Sequence, residues 1–438
     1  MSHSKPKSSV RHTRAIRVAQ SKHVPAVPLA EPLQTRLRDL VLPAAYAQLS
    51  YFRQLGLRAR LLSLPVMVAL VISLIWQQVG SASELVRMLA QEGILWVEAM
   101  RVTQQAFSER LLTFPAVLFE RVLLEVLPLL HQRWLQRQRP LPPEVRHVQA
   151  HFGRVLIFDG STLDVLWRKL KALREVEPAP LAGRMGTLLD LASRLPVQVW
   201  YEPDAQSHDL QFTTRLFSAL RACDLLVLDA GFRDYGLLDQ LSDALISVIT
   251  RPARNMAYQV QQVLQRSATV HDQIVQIGST KQSQCRHPMR LIAVLFQGQW
   301  YRYLTNVLDP QLLSAETIVA LYRRRWRVEV AFLLVKRLLG LAYLWVGSDN
   351  GVQLQVWATW LLYALLIDMS DAVADELNVL FDAISVEMVF RGLYHFTQAY
   401  QRGAATDPVL YLATHASDLA ILKRMRKPKP IPLLPAPA

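Results

Sequence analysis

The chain has 438 residues, 51% of them hydrophobic, which allows two or three domains around at least one large core and excludes a minimal binding module. Its 49 Lys and Arg outweigh 35 Asp and Glu for a net charge of +14, an excess that favours a polyanionic partner, either nucleic acid or an acidic membrane surface. Cys223 and Cys285 are the only cysteines, so a disulfide framework and a multi-cysteine zinc site are excluded, and a reducing cytoplasm fits.

Residues 1–30 carry Lys5, Lys7, Arg11, Arg14, Arg17 and Lys22 with no acid before Glu31 and no apolar signal core directly behind them. They read as a basic disordered tail, either merely solvated or an arm on DNA. Residues 31–150 read as helix throughout, a domain that is either DNA-binding or a structural bundle. Ser81 and Glu84 form a candidate capping box, and helices are expected over 102–112 and 117–130 with Pro115 between them. Arg133, Arg137 and Arg139 close this domain, and Pro140, Pro142 and Pro143 mark a linker. Apolar runs at 61–76 and 354–367 fall short of the ~18–20 residues a bilayer span needs and are expected to be buried core helices, so no membrane partner is expected.

The pattern then becomes alternating α/β. Residues 155–158 (VLIF) form an apolar strand ending at Asp159, with a second strand expected over 162–166. Residues 169–194 look helical or irregular, 197–201 a strand, and 209–222 a helix. Residues 225–228 (LLVL) form a strand running into Asp229, then a helix to about Leu241 and a strand over 244–250. Residues 251–306 form a β-rich insertion with strands at 273–277, 291–296 and 300–305 and a turn at Gly298. Ser314 precedes a single helix over 315–340. Helix resumes beyond 351, and residues 376–438 form a helical C-terminal region ending in a basic, proline-rich tail.

The stretch 322–336, YRRRWRVEVAFLLVK, concentrates the chemistry. At about 100° per residue, Tyr322, Arg325, Glu329 and Lys336 fall at roughly 0°, 300°, 340° and 320°, one polar stripe, while Val328, Ala331, Phe332, Val335, Leu338 and Leu339 gather at roughly 160–280°. A carboxylate among two cations and a phenol suits phosphodiesters, since Glu ligates a metal and Arg and Lys neutralise phosphate oxygens. The plain alternative is a solvated face laced by the Arg325–Glu329 pair. Four residue types at these offsets arise by chance in about 0.003 of chains this long, so the spacing is informative.

Two aspartates and a glutamate can bridge a pair of Mg²⁺ ions about 3.5–4 Å apart, an arrangement that serves both the attacking and the leaving oxygen of a phosphodiester. Asp159 and Asp229 each end an apolar strand, where α/β sheets place ligands. Each also has an ordinary reading: Asp159 could open a turn, and Asp229 could cap the next helix. Trp326 is expected to pack between domains, with stacking on a base as the alternative. The adjacent His208 and Asp209 need no more than surface roles, and Cys223 is expected in the core.

The spacing Y-x2-R-x3-E-x6-K and the segments LIFDGSTLDV, LLVLDAGFRDYGLL and WYRYLTNVLDP resemble the DDE transposases of bacterial insertion sequences, in the group called insertion sequence family four. The resemblance covers about residues 60–370, weakly so in the N-terminal part. It implies an α/β ribonuclease H-like catalytic domain over 151–375, with the β-rich insertion at 251–306 and an all-helical domain before it. It also implies Asp159, Asp229 and Glu329 as catalytic metal ligands, Mg²⁺ as cofactor with Mn²⁺ as a substitute, and Tyr322, Arg325 and Lys336 as DNA contacts. The expected reaction is cleavage at transposon ends by water, followed by attack of the freed 3′-hydroxyl. The partners would be double-stranded DNA, as terminal inverted repeats and target, and a second copy of the chain in a homodimer, in the cytoplasm with the nucleoid. A catalytically silent DNA-binding protein on the same fold is the alternative.

Overall fold

The computed structural model describes residues 30–423 except 59, 80–81, 164–182, 205–207, 233, 279–283, 342–343 and 346–347. Both basic tails, residues 1–29 and 424–438, therefore lie outside the described residues, as does Ser81 of the expected capping box. The first part is helical: α1 (Glu31–Ala47), α2 (Leu49–Gln54), α3 (Leu64–Trp76), α4 (Ala82–Gln91), α5 (Gln104–Thr113), α6 (Val117–Gln136) and α7 (Pro143–His151). The Thr103 side chain accepts from the Ala106 N–H and opens α5. The expected proline linker is the coil between α6 and α7, and only its last proline enters α7. Pro143 takes the first helical position, where its missing N–H costs nothing.

The strands are β1 (Val155–Thr162), β2 (Arg184–Asp190), β3 (Pro196–Glu202), β4 (Leu225–Leu228), β5 (Ser247–Thr250), β6 (Tyr258–Arg266), β7 (Val270–Ile277), β8 (Met289–Phe296) and β9 (Gln299–Thr305). They form one nine-stranded mixed sheet in the order β3-β2-β1-β4-β5-β9-β8-β7-β6. β4 lies parallel to both β1 and β5, and the other pairings are antiparallel. Between them run α8 (Thr213–Ala219) and α9 (Tyr235–Asp243).

Several sequence expectations change here. β1 is one strand through Thr162, so Gly160 and Ser161 pair with Gly186 and Met185 and no turn follows Asp159. The stretch expected to be helical or irregular contains β2. The predicted helix over 209–222 is a 3-10 turn, Asp209–Phe212, leading into the short α8. The β-rich segment has a further strand, β6, and hydrogen-bonds to β5 as a continuation of the main sheet.

The last part holds α10 (Ala315–Arg324), α11 (Trp326–Leu333), a π-turn (Leu334–Leu338), α12 (Asp349–Glu376), a 3-10 turn (Phe381–Ala383), α13 (Val386–Gln401) and α14 (Pro408–Thr414). The single helix expected over 315–340 is thus broken at Arg325. Across the break the bonds are of the i→i−3 kind, Arg325 N–H to Tyr322 at 3.1 Å and Val328 N–H to Arg325 at 3.1 Å. Gly340, at φ +80°, supplies the left-handed residue that stops the run.

The alternation of β1 divides the core in two. Leu156 and Phe158 join α8, α9 and Phe232 on one face of the sheet, while Val155 and Ile157 join the α1–α7 helices and α11–α14 on the other. α12 is the hub of that larger core. It is long and apolar enough to cross a membrane by length and composition, but 94% of its apolar window is buried inside the protein, as expected for a core helix.

Candidate active site

Asp159 follows Phe158 in β1, so the same alternation turns it to the Ile157 face, where α11 packs. It is also the first β1 residue past the parallel ladder with β4, which ends at Phe158 opposite Leu228. Asp229 is the residue after β4. The two neighbouring strands therefore deliver their acids side by side, the adjacency the sequence required but did not contain. Asp229 does not cap α9; that role belongs to Asp234, whose carboxylate accepts from the Gly236 N–H at 2.7 Å.

From the break between α10 and α11, Arg325 reaches both acids. Its Nη1 donates to Asp159 Oδ2 at 2.8 Å and its Nη2 lies 3.8 Å from Asp229 Oδ1. Arg325 is 5% and Asp159 7% exposed, whereas the Asp229 side chain is 45% exposed at the mouth. Burial pushes the Asp159 carboxyl up to about 7; Arg325 opposes the shift, and the negative charges of Glu329 and Asp229 add to it. Glu329, one turn beyond Arg325, is solvent-facing and within electrostatic reach of Asp159. All three predicted acids thus converge on one region.

Of the predicted DNA contacts, Tyr322 is buried and packs edge-on against Tyr303, ring centroids 5.3 Å apart. Burial and the nearby Asp229 push its hydroxyl up to about 12, with Arg325 and Arg251 opposing, so it keeps its proton and remains a donor. Lys336 comes round through the π-turn, where the Leu339 N–H bonds to Leu334 at 2.9 Å, and donates to the Ser161 hydroxyl at 2.7 Å and the Thr162 carbonyl at 2.5 Å. It therefore sits at the end of the Asp159 strand.

Two expectations fail. Trp326 does not pack between domains: it is 62% exposed on the outer face of α11, with the Arg325 guanidinium 5.2 Å from its ring. Cys223 is exposed rather than in the core, because it makes the left-handed turn (φ +68°) before β4. His208 is exposed, and the side chain of Asp209 lies outside the described part of the structure.

Sequence reading missed the cavity beside Asp229. It has a volume of about 420 Å³ and is lined by Arg251, Arg254, Arg302, Trp300 and Tyr301, next to Ala230. The Arg-Pro-Ala-Arg run directly after β5 was its one sequence signal.

Three carboxylates are the kind of oxygen donor Mg²⁺ prefers. Among the described residues, no three His, Cys, Asp or Glu side chains are gathered tightly enough to hold a metal as they stand. Between Asp159 and Asp229 the compensating positive charge comes from Arg325.

Residues 152–365 match the family model described as a transposase DDE domain. The chain is 30% identical over 173 residues to the transposase named y4zB of Sinorhizobium fredii, covering 37% of this chain and 47% of that protein. It is 31% identical over 228 residues to the transposase named for insertion sequence element IS5377 of Geobacillus stearothermophilus, covering 49% and 58%. The chain spans about half the length of these curated relatives. A cryo-EM structure of the piggyBac transposase synaptic complex with hairpin DNA aligns with 88% of this chain and 82% of that one, at 12% identity and a TM-score of 0.43. Residues 152–365 thus match a DDE transposase domain, and the chain is similar over part of its length to transposases, one of them named for an insertion sequence element.

Proposed function

We propose that the chain is a DDE transposase of the insertion sequence family four type, cleaving DNA strands at transposon ends and transferring them to target DNA. The observation that carries this reading is the Arg325 side chain spanning Asp159 and Asp229 from the helix that bears Glu329, inside the DDE-matched segment. The order β3-β2-β1-β4-β5, three antiparallel strands and then two parallel ones with acids at the ends of the central pair, supports a ribonuclease H-like catalytic core.

Asp159, Asp229 and Glu329 are the residues that would hold Mg²⁺, or Mn²⁺ in its place, which when bound lowers the pKa of an attacking water and stabilises the leaving oxygen. The protein's own groups do the rest. Arg325 has a planar fork suited to phosphate and moves from carboxylate to phosphate oxygen as DNA enters. Tyr322 offers its O–H from a fixed ring, and Lys336 supplies a point charge at the end of β1. The Arg251, Arg254 and Arg302 cavity continues the positive surface away from Asp229, where the strand backbone would run. Two ends must be held together, so the working unit is a homodimer on double-stranded DNA, acting in the cytoplasm.

The test is metal-dependent cleavage of a labelled duplex carrying the element's own ends, comparing the wild type with Glu329→Gln. The transposase reading expects cleavage with Mg²⁺ that Glu329→Gln abolishes while binding persists. Binding without cleavage in both proteins would instead indicate a catalytically silent DNA-binding protein on this fold.

A further inference from the structure

Beyond residue 365, where the DDE match ends, one carboxylate gathers three arginines. Asp382 accepts from Arg327 Nη2 at 2.7 Å on each oxygen, from Arg324 Nη1 at 2.6 Å, and from Arg194 Nη2. Arg324 and Arg327 flank Arg325, one on each side of the helix break. Arg327 also donates to the Leu191 carbonyl at 2.7 Å, tying α11 to the β2–β3 turn, and Arg324 pairs with Glu144 of α7.

The turn holding Asp382 is itself fixed. The Lys423 N–H bonds to the Ala383 carbonyl at 2.8 Å, the Ser385 N–H to Ile421 at 2.8 Å, and the Arg194 guanidinium lies 4.2 Å from the centroid of the buried Phe381 ring. Positive charge is in excess around the one acid. Burial and the Arg194 charge hold the Lys423 ammonium below its ordinary value, with Asp382 opposing. The α10–α11 junction carries i→i−3 bonds at Arg325 and Val328, and the like-charged Arg324 and Arg327 on its two sides repel each other without an anion between them.

We infer that Asp382 is a positioning residue for strand cleavage: it clamps the α10–α11 junction through Arg324 and Arg327, and so sets Arg325 against Asp159 and Asp229 and aims Glu329. The catalytic half of this inference rests on the transposase reading; the structural half does not. The distinction can be measured.

Fluorotryptophan is incorporated into the full chain, which has 10 tryptophans, and the resonance of Trp326, beside Arg325, is assigned with Trp326→Phe. Asp382→Asn, Asp382→Glu and Arg327→Lys are compared with the wild type by this resonance and by single-turnover cleavage at saturating end DNA. Asp382→Asn is expected to move the Trp326 resonance and leave the remaining tryptophans in place. Cleavage should slow by about 10–100-fold, as misplacement by about an ångström does, with DNA affinity little changed. Asp382→Glu should recover most of both effects, and Arg327→Lys, which keeps the charge but not the fork, should fall between.

An unmoved Trp326 resonance with full cleavage in Asp382→Asn overturns the inference. So does a loss shared by every tryptophan in all three variants, which would mark a general role in the fold. Should Asp382→Asn fail to fold, Arg327→Lys decides by the same readouts. If the wild type cleaves nothing, the transposase reading fails while the resonance still decides whether Asp382 holds the junction.

Discussion

Arg325 donates to Asp159 at 2.8 Å, both side chains nearly closed to solvent, from a position where the helix it belongs to is broken. The guanidinium offsets the cost of placing Asp159 beside Asp229 at the ends of neighbouring strands. Arg325→Leu should lower stability in chelator-treated protein by about 3 kcal/mol, the low end for a broken buried pair, because Asp159 can take up a proton instead. Added Mg²⁺ should restore part of the melting temperature. An unchanged melting temperature without metal would show that the pair does not hold the acids together.

Acid should loosen the helical core through Asp368. Burial alone would raise its carboxyl, but Arg137, Arg36 and Arg133 more than reverse this and hold it below its ordinary value. Its folded pKa is therefore depressed, so the stabilisation is complete above the unfolded value of about 3.9 and is lost as pH falls through the lower folded value. Asp368→Asn should cost about 3–5 kcal/mol at neutral pH and flatten the fall in stability below about pH 4. Urea titrations at several pH values check this, and parallel wild-type and variant curves would refute it.

Within the β-rich part, the fully buried Arg290 of β8 pairs with Asp272 of β7 at 2.5 Å and donates to the Leu313 carbonyl at 2.7 Å, just before α10. Asp272→Asn keeps the shape but strands the charge, and an expected loss of about 3–5 kcal/mol follows. Hydrogen exchange should rise first over residues 307–314, the link to α10. Unaltered exchange there would mean the pair does not anchor that segment.

The cavity beside Asp229 offers a test that needs no catalysis. Arg251→Ala should weaken binding to end DNA and to unrelated DNA alike, and lower the slope of log affinity against log salt by about 1. Filter binding across a salt series reads this directly. A slope equal to the wild type would remove Arg251 from the DNA path.

The strands bearing Asp159 and Asp229 were legible because short apolar runs ending in an acid state both the element and its end. Other features were hidden for identifiable reasons. β2 is buried along nearly its whole length and so shows no alternation, while β6 is an edge strand whose side chains are almost all exposed. Trp326 was misplaced by weighing residue type above position: at roughly 40° on the same helical wheel, it lies well away from the apolar arc. The break at Arg325 carries no glycine or proline to announce it. The arginines around Asp382 come from positions 194, 324 and 327, separations at which only the folded chain brings charges together.

The DDE match stops at residue 365, inside α12, which continues without interruption to Glu376. Past that point the helix presents Asp368 and Asp371 to Arg36 and Arg137, and Asp375 to the N–H groups of Gln138 and Arg139 at 2.8 Å each. A fragment trimmed to the matched residues would end in mid-helix, with the apolar surface of α12 stripped of its cover and both sides of these ion pairs removed. The matched segment and the flanking helices share one hydrophobic core, and residues 152–365 transplanted alone would be expected to aggregate rather than fold.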